Sequence, residues 1–329
     1  MAIFNRVCIN LKTMRLMLWF LGLWAGSLLA GGCAVHDQYD ERIPLIIDAD
    51  TANEVDDLFA LASAILEPRF NLLGITAAQF HTSPLASDTT ALESHRINLD
   101  LLALMDRQDI PSLIGSSEPI SSHQNADLSP AAQFIIDQAH QYTPDHKLHI
   151  IILGPCTNMA AAIIHDSSII NLISVHYLGF WHEPETNVYD LKEFNSGNDT
   201  IAVNLLLNTA GLEMDVMTAT TSQHLIFNKK IVDQHLSEHL GLGQYLIERW
   251  NNYNRWWTRK DPEKREWIMW DVAIVEALAR PELSTEETFT TPPANTKRYI
   301  GIHTDIEIAA MEKVFWGKLD DFINRTHLK

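Results

Sequence analysis

The sequence predicts an α/β fold, in which an open and mostly parallel sheet is flanked by helices. From about residue 44 to residue 219, short apolar runs alternate with longer amphipathic stretches, as expected for strands followed by crossover helices. Such alternation is typical of parallel sheets covered on both faces. No internal repeat and no Pro/Gly-rich linker divides the chain, so we expect one large domain.

The individual elements follow from these patterns. Strands are predicted at the apolar runs Pro44–Asp48, Asn71–Ala77, Leu148–Leu153, Leu172–Leu178, Met214–Ala219 and Arg298–His303. Helices are predicted at Val55–Leu66, Ser87–Leu104, Pro130–Gln141, Asn158–Ile164, Asp199–Thr209 and Ile306–Ile323, and the stretch from Val232 to Ala279 is predicted to be largely helical.

Residues 1–32 have the features of a targeting segment. Arg6, Lys12 and Arg15 supply positive charge without acids, Leu16 to Ala30 is apolar, and small residues precede Cys33. This ending resembles a bacterial lipoprotein signal, in which Cys33 becomes the lipidated N-terminus. An ordinary cleaved signal and an uncleaved anchor are the alternatives.

We therefore expect an exported protein, periplasmic or attached to the outer membrane through a lipid on Cys33. Residues 33–42 would form a polar linker, and residues 43–329 the folded domain. Because Ala34 rather than Asp follows the cysteine, the outer membrane is favoured if the cell is Gram-negative.

Charge and cysteine content argue against binding of nucleic acids and against stabilisation by disulfides or zinc. The formal net charge is −18, and removal of residues 1–32 makes it −21, so binding to nucleic acid phosphates is not expected. Of three cysteines, only Cys156 lies beyond Cys33, which leaves no pair for an internal disulfide and no cluster for zinc.

The most informative segment runs from Ile46 to Asp57. Asp48 and Asp50 alternate at the end of a predicted strand, and Asp56 and Asp57 open the helix that follows. Crowded carboxylates repel each other unless a cation or a proton offsets their charge. Oxygen ligands favour Ca²⁺ or Mg²⁺. The alternative is an acidic helix start satisfied by capping.

Three later segments are ambiguous when each is taken alone. Leu153-Gly154-Pro155 ends a buried strand, and its sharp turn could direct a main-chain carbonyl toward the acids. The loop from Asn187 to Asp199 carries amides and carboxylates suited to sugar hydroxyls, but a solvated loop would look similar. Asp271 opens an apolar helix, which is the usual position of a cap.

Together and in this order, the four segments resemble the nucleoside hydrolase family of the inosine-uridine type, from about Pro44 to the C-terminus. The resemblance implies an open α/β fold, one Ca²⁺ at the strand carboxyl ends, and hydrolysis of the N-glycosidic bond of a nucleoside. It makes Asp50 both a calcium ligand and the general base that takes a proton from the attacking water. Asp57, Asp271 and the backbone carbonyl of Leu153 would complete the protein ligands.

The resemblance also assigns the substrate contacts. The residues that match ribose ligands are Asp56, Asn187, Glu193 and Asn195, and Asp48 matches the acid beneath the site. Trp270 stands where some members have a histidine acid, and a tryptophan there resembles purine-preferring members, so a purine base is favoured. Trp256 and Trp257 could form the other wall of a base pocket.

Departures from the family pattern concern the first motif and the leaving-group acid. Five residues separate Asp50 from the Asp56-Asp57 pair where three are usual, so Asn53 or Glu54 could intrude on the site. His182 is a second candidate acid.

Two alternatives remain beside a calcium-dependent, purine-favouring hydrolase. One is a non-catalytic lipoprotein of the same fold that binds nucleosides or sugars. The other is a magnesium-dependent phosphatase, because Asp48-Ala49-Asp50-Thr51 also resembles the haloacid-dehalogenase motif. A homo-oligomer is left open.

Overall fold

The computed structural model describes residues 40–122 and 124–326. The predicted signal segment, the lipidation site Cys33 and most of the linker lie outside the described residues, so these predictions are not tested by it. Among the residues that are described, no helix combines the length and apolar character that crossing a bilayer requires.

Twelve strands are present in the described part of the chain. In chain order they are β1 Ile43–Ala49, β2 Phe70–Ala77, β3 Ser112–Ile114, β4 Leu148–Ile152, β5 Ile173–Gly179, β6 Trp181–Glu183, β7 Val188–Asp190, β8 Glu213–Thr218, β9 Ile226–Asn228, β10 Glu266–Ile268, β11 Ser284–Thr290 and β12 Tyr299–Ile306.

The helices, in the same order, are α1 Asp56–Leu66, α2 Thr90–Leu104, α3 Pro130–Ala139, α4 Thr157–His165, α5 Phe194–Asn198, α6 Thr200–Asn208, α7 Ala219–Ser222, α8 Lys229–Leu236, α9 Leu242–Asn252, α10 Trp270–Ala279 and α11 Ile308–Thr326. Two short 3₁₀ turns, Ser167–Leu172 and Pro281–Leu283, precede β5 and β11.

An eight-stranded sheet has the order β11-β12-β8-β5-β4-β1-β2-β3. All neighbouring strands from β12 to β3 pair in parallel, and only the edge strand β11 runs antiparallel to β12. Two short antiparallel pairs, β6 with β7 and β9 with β10, lie outside this sheet. Parallel strands share one carboxyl edge, which is where ligands bind in open α/β sheets.

Each face of the sheet carries its own hydrophobic core. Successive side chains of β1 point to opposite faces, so Leu45 and Ile47 join the core formed with α1, α10 and α11, whereas Ile46 joins the core formed with α3, α4 and α6. All three side chains are fully buried. Burial of an aliphatic side chain of this size stabilises the fold by roughly 1.5–3 kcal/mol, so β1 is fixed from both sides.

The predicted fold class is confirmed, and so are the six predicted strands and six individually predicted helices, within about three residues at each end. The structure adds strands that the sequence patterns do not indicate, notably β11, whose side chains are mostly exposed. The helical prediction from Val232 to Ala279 is wrong between α9 and α10, where a loop and the short strand β10 interrupt it.

Candidate active site

A cavity of about 260 Å³ opens at the carboxyl edge of the sheet. Its walls come from the turn after β1, from Leu153 after β4, from Leu178 near the end of β5, and from Ala219 after β8. Most of the remaining lining is acidic or aromatic: the carboxylates are Asp50, Glu54, Asp56, Asp57, Glu193 and Asp271, and the tryptophans are Trp181, Trp256, Trp257 and Trp270.

Two helix starts bring the acids together. Asp56 and Asp57 open α1, Asp271 is the second residue of α10, and the two helices pack against each other. Carboxylate oxygens of these three residues lie within 4.8 Å of one another, and Asp56 Oδ2 accepts a hydrogen bond from the backbone N–H of Asp271 at 3.3 Å. Helix N-termini favour negative charge, but they do not neutralise three buried carboxylates.

The charge of this group is not balanced by the protein. Burial raises the pKa of Asp56 to about 7. Burial, and then repulsion from Asp50 and Asp56, raises the pKa of Asp57 well above its usual range. No ion pair of the described residues reaches Asp50, Asp56, Asp57 or Asp271. Asp50 Oδ2 and Asp57 Oδ1 are buried without a hydrogen-bond partner. An all-oxygen set with unpartnered oxygens fits a hard divalent cation.

The predicted ligand set agrees with this group in part. Asp57 and Asp271 belong to it, but its third member is Asp56, which was predicted to hold ribose, rather than Asp50. Asp50 interacts with the group electrostatically. Burial, and then repulsion from Asp56, raise the pKa of Asp50 well above its usual range. The close approach of the Gly154 backbone, where a Cβ atom would lie 2.7 Å from Asp50 Oδ1, holds the Asp50 side chain beside the start of the β4–α4 turn.

The predicted backbone ligand, Leu153, lines the cavity, and its carbonyl accepts a hydrogen bond from Asn195 Nδ2 at 2.7 Å. The same amide donates to the carbonyl of Leu178 at 3.0 Å, which fixes its orientation. Glu193 accepts hydrogen bonds from the backbone N–H groups of Asn195 and Ser196 and so caps α5. Glu193 and Asn195 both line the cavity, as their predicted role requires.

Asn187 is not brought into the cavity. It occupies the turn between β6 and β7 with a φ of 50°, and its side chain bonds to His182 Nε2 at 2.9 Å and to Thr290 Oγ1 at 3.2 Å. His182, the second candidate acid, packs against Tyr189 and Phe289 and does not line the cavity either. The β6–β7 hairpin directs the side chains of Asn187 and His182 toward β11. The spacing of these residues in the sequence does not indicate this direction.

Asp48 lies beneath the site, as expected from its position in β1. Its carboxylate accepts hydrogen bonds from Thr76 Oγ1 at 2.7 Å and from Asn158 Nδ2 at 2.8 Å. Complete burial raises its pKa to about 6, although both hydrogen bonds act in the opposite direction. Asp48 is therefore a supporting group, which does not itself line the cavity.

The longer first turn does reach the cavity. Asn53 and Glu54 both line it, and the turn is held by residues from the C-terminal half. The Tyr253 hydroxyl donates to the Asn53 carbonyl, and Trp267 Nε1 donates to Glu54 Oε1 at 2.9 Å. Asn53 Oδ1 is buried without a partner. The two additional residues thus present polar groups to a ligand.

Aromatic rings form the rest of the walls. Trp270, Trp256 and Trp257 line the cavity as predicted, and Trp181 crosses Trp270 edge to face at a centroid distance of 5.9 Å. Trp181 and Lys192 are lining residues that the sequence reasoning missed. Trp181 follows the end of the buried strand β5 by two residues, and this position in the sequence could have indicated a residue at the carboxyl edge of the sheet. Nothing in the sequence marks Lys192 apart from its place before Glu193.

The fold and the site define an α/β protein with a small-molecule cavity and a candidate divalent-cation group at the carboxyl edge of its sheet. The family model of the inosine-uridine preferring nucleoside hydrolases matches residues 45–310. The chain belongs to this family, which places it among the N-glycosyl hydrolases that act on nucleosides and excludes the phosphatase alternative.

Similar proteins fall in the same group. Uridine nucleosidase 1 of Arabidopsis thaliana is 26% identical over 285 residues, which cover 78% of this chain and 79% of that protein. Probable uridine nucleosidase 1 of Oryza sativa subsp. japonica is 23% identical over 268 residues, covering 74% and 79%. The structure also resembles the purine-preferring ribonucleoside hydrolase of Gardnerella vaginalis, with a TM-score of 0.67, 19% identity, and coverage of 85% of this chain and 99% of that one.

Proposed function

We propose that the protein is a Ca²⁺-dependent hydrolase that cleaves the N-glycosidic bond of ribonucleosides, with a preference for purine bases. The observation that carries this proposal is the group of three buried carboxylates, Asp56, Asp57 and Asp271, within 4.8 Å of one another beside the cavity. Their burial without a counter-charge is costly unless a cation binds. Asp50, whose charge acts on Asp57, and the carbonyl of Leu153, which lines the same cavity, would contribute to the same ion.

Bound at these acids, Ca²⁺ supplies a Lewis acid that makes water easier to deprotonate. Asp50 would accept the proton as water attacks the anomeric carbon, because it lines the cavity together with the three acids and its Oδ2 atom has no hydrogen-bond partner. The ribosyl group develops positive charge in the transition state, and the surrounding carboxylates stabilise it. Glu193 and Asn195, which line the same cavity, would orient the ribose hydroxyls.

The preference for purines rests on the aromatic walls. Trp270 borders the carboxylate group, since it is adjacent to Asp271, and it offers a ring face to a base. Trp256 and Trp257 would enclose the base from the other side. The similar proteins do not share one base preference, because two carry names that specify uridine and one is described as purine-preferring.

Ribose release from inosine, guanosine, uridine and cytidine tests the proposal. Calcium-loaded wild-type protein should release ribose from all or some of these, fastest from the purines, and Asp50→Asn should lose at least about 10³-fold in kcat/KM. The matched control is Asp100→Asn, which removes an exposed acid on α2 and should be unaffected. Equal turnover by wild type and Asp50→Asn would overturn the catalytic assignment. Tight nucleoside binding without any turnover would favour the non-catalytic alternative.

We further propose that the chain is exported and lipidated at Cys33, with residues 1–32 removed and residues 43–329 forming the catalytic domain. Cys33→Ser should abolish incorporation of labelled palmitate in the host bacterium and release the protein from membranes. Retention of both label and membrane attachment in this variant would contradict the assignment.

A further inference from the structure

The cavity has an unusual charge for a site that would bind a neutral ligand. Six carboxylates line it, namely Asp50, Glu54, Asp56, Asp57, Glu193 and Asp271, and Lys192 is its one basic residue. A divalent ion held by the aspartates would offset only part of this charge. Glu193 is occupied as the cap of α5. Glu54 has no cationic partner among the described ion pairs and lies outside the three-aspartate group.

Glu54 lies against aromatic side chains. Its carboxylate accepts a hydrogen bond from Trp267 Nε1 at 2.9 Å, and it lines the cavity together with Trp256, Trp257 and Trp270. The carbonyl of its neighbour Asn53 is held by the Tyr253 hydroxyl, so the turn cannot easily swing away from the cavity. The Asn53 amide oxygen, 5% exposed as a residue and without a partner, adds a second acceptor to the same wall.

The cavity offers few kinds of proton donor for a leaving base. No histidine, cysteine or tyrosine side chain lines it among the described residues, so only its carboxyl groups and Lys192 could donate a proton. Lys192 is exposed and precedes Glu193 on the wall that we assign to ribose. A neutral purine needs a proton as it departs, whereas a base that is already cationic does not.

Building on the proposed function, we propose that the substrates cleaved most specifically are ribosides whose base carries a fixed positive charge, such as a pyridinium or an N-alkylated purinium. Trp256, Trp257 and Trp270 would receive the cationic ring through cation–π contacts, and Glu54 would supply the counter-charge. Aromatic rings combined with a carboxylate bind cationic groups because the ring faces are negative. Contacts of this kind are strongest where water is excluded.

The reaction balances without a protein acid. Water forms the new bond to the anomeric carbon and loses one proton to Asp50, from which it passes to solvent. The carbon–nitrogen bond breaks with both electrons staying on nitrogen, so the positively charged ring leaves as a neutral molecule. A neutral nucleoside would instead have to gain that proton on the departing base.

Two measurements on the calcium-loaded protein test this inference. The first compares Kd for 1-methylnicotinamide and nicotinamide by tryptophan fluorescence quenching, because these ligands differ in charge and cannot be hydrolysed. We expect the cation to bind about tenfold more tightly or better. The second takes the ratio of kcat/KM for 7-methylguanosine to kcat/KM for guanosine in wild type, Glu54→Gln and Glu266→Gln.

The ratio cancels the greater intrinsic lability of 7-methylguanosine, because that lability is the same for every variant. We expect Glu54→Gln to lower the ratio about tenfold. Glu266→Gln removes an exposed carboxylate on β10 beside Trp267 and should leave the ratio unchanged.

Equal affinity for 1-methylnicotinamide and nicotinamide, together with an unchanged kcat/KM ratio in Glu54→Gln, would overturn the inference. The proposed function would still stand in that case if wild-type protein hydrolysed guanosine. Absence of hydrolysis of every riboside would instead overturn the proposed function. In that case cation-selective binding lost in Glu54→Gln would still support the charge preference. If Glu54→Gln does not fold, the two Kd values measured on wild-type protein for 1-methylnicotinamide and nicotinamide decide whether the inference stands.

Discussion

Helices α1 and α10 pack together and have buried acids at both ends, but the two ends differ in how charge is balanced. At the amino ends, Asp56, Asp57 and Asp271 meet, and no ion pair among the described residues reaches them. Near the carboxyl ends, Glu67 and Glu276 meet Lys318, whose Nζ lies 3.0 Å and 2.9 Å from their carboxylate oxygens.

Arg280 completes the second cluster, with its Nη1 2.5 Å from Glu67 Oε2. Burial raises the pKa of Glu67, but hydrogen bonding to Arg280 and the charge of Lys318 outweigh it and lower the pKa overall. The chain thus supplies basic side chains to this pair of buried acids. No ion pair among the described residues does the same for Asp56, Asp57 and Asp271, which indicates that their counter-charge comes from a ligand.

The largest effect is expected from Asp57→Asn. Loss of one carboxylate should weaken calcium binding and lower kcat/KM for nucleoside hydrolysis by about 10³-fold or more. The unfolding midpoint in chelator should stay constant or rise, because the substitution relieves repulsion with Asp50 and Asp56. Steady-state kinetics and thermal unfolding of the same sample check both statements. A large loss of stability in chelator would mean that the acids stabilise the fold by themselves.

The second cluster should respond in the opposite way. Lys318→Met leaves Glu67 and Glu276 buried with less compensation and should lower the free energy of unfolding by about 3 kcal/mol. The value of kcat/KM per folded molecule should not change. Lys313→Met, on the exposed face of α11, is the control and should alter stability by less than about 0.5 kcal/mol. Urea unfolding gives the free energies, and equal effects of the two substitutions would contradict the structural role.

The two clusters should also have opposite pH dependence. In chelator, Asp56 keeps its proton in the folded state to about pH 7 but only to about pH 3.8 when unfolded, so its contribution to stability falls as pH rises through that window. Saturating Ca²⁺ should flatten this fall. The contribution of Glu67 is present above its unfolded pKa of about 4.5 and is lost as pH falls through its lowered folded value. Urea unfolding at a series of pH values measures both contributions. Repeating the series with Lys318→Met, which should alter only the contribution of Glu67, distinguishes it from that of Asp56.

A smaller effect is expected from Asn187→Ala. Because Asn187 bonds to His182 and Thr290 rather than lining the cavity, the substitution should cost about 1 kcal/mol of stability and change KM by less than about twofold. Asn195→Ala should raise KM by about tenfold or more, since its amide joins the carbonyls of Leu153 and Leu178 at the cavity wall. A large KM effect in Asn187→Ala would show that the β6–β7 hairpin rearranges when substrate binds.

Local sequence patterns predict the position of part of the first cluster. The alternation in β1 and the acids at the start of α1 are local signals, so they place Asp48 in β1 and Asp56 and Asp57 at the start of α1, as the structure does. Asp271 was found only through the family resemblance, because its approach to α1 depends on packing over more than 200 residues of chain.

The differences between prediction and structure have the same physical origin. The family resemblance places Asn187 at the ribose, but in the structure its hairpin turn directs the side chain to His182 and Thr290. Strand β11 is not predicted because most of its residues are polar and exposed, so no apolar periodicity marks it. Trp181 and Lys192 reach the cavity through tertiary placement alone.

Calorimetric titration of Ca²⁺ into metal-free wild-type protein tests the central claim most directly. We predict saturable binding of one ion per chain, lost or strongly weakened in Asp57→Asn and unchanged in Lys318→Met. Absence of saturable binding, or equal binding by wild type and Asp57→Asn, would contradict the assignment of the uncompensated acids to a metal site.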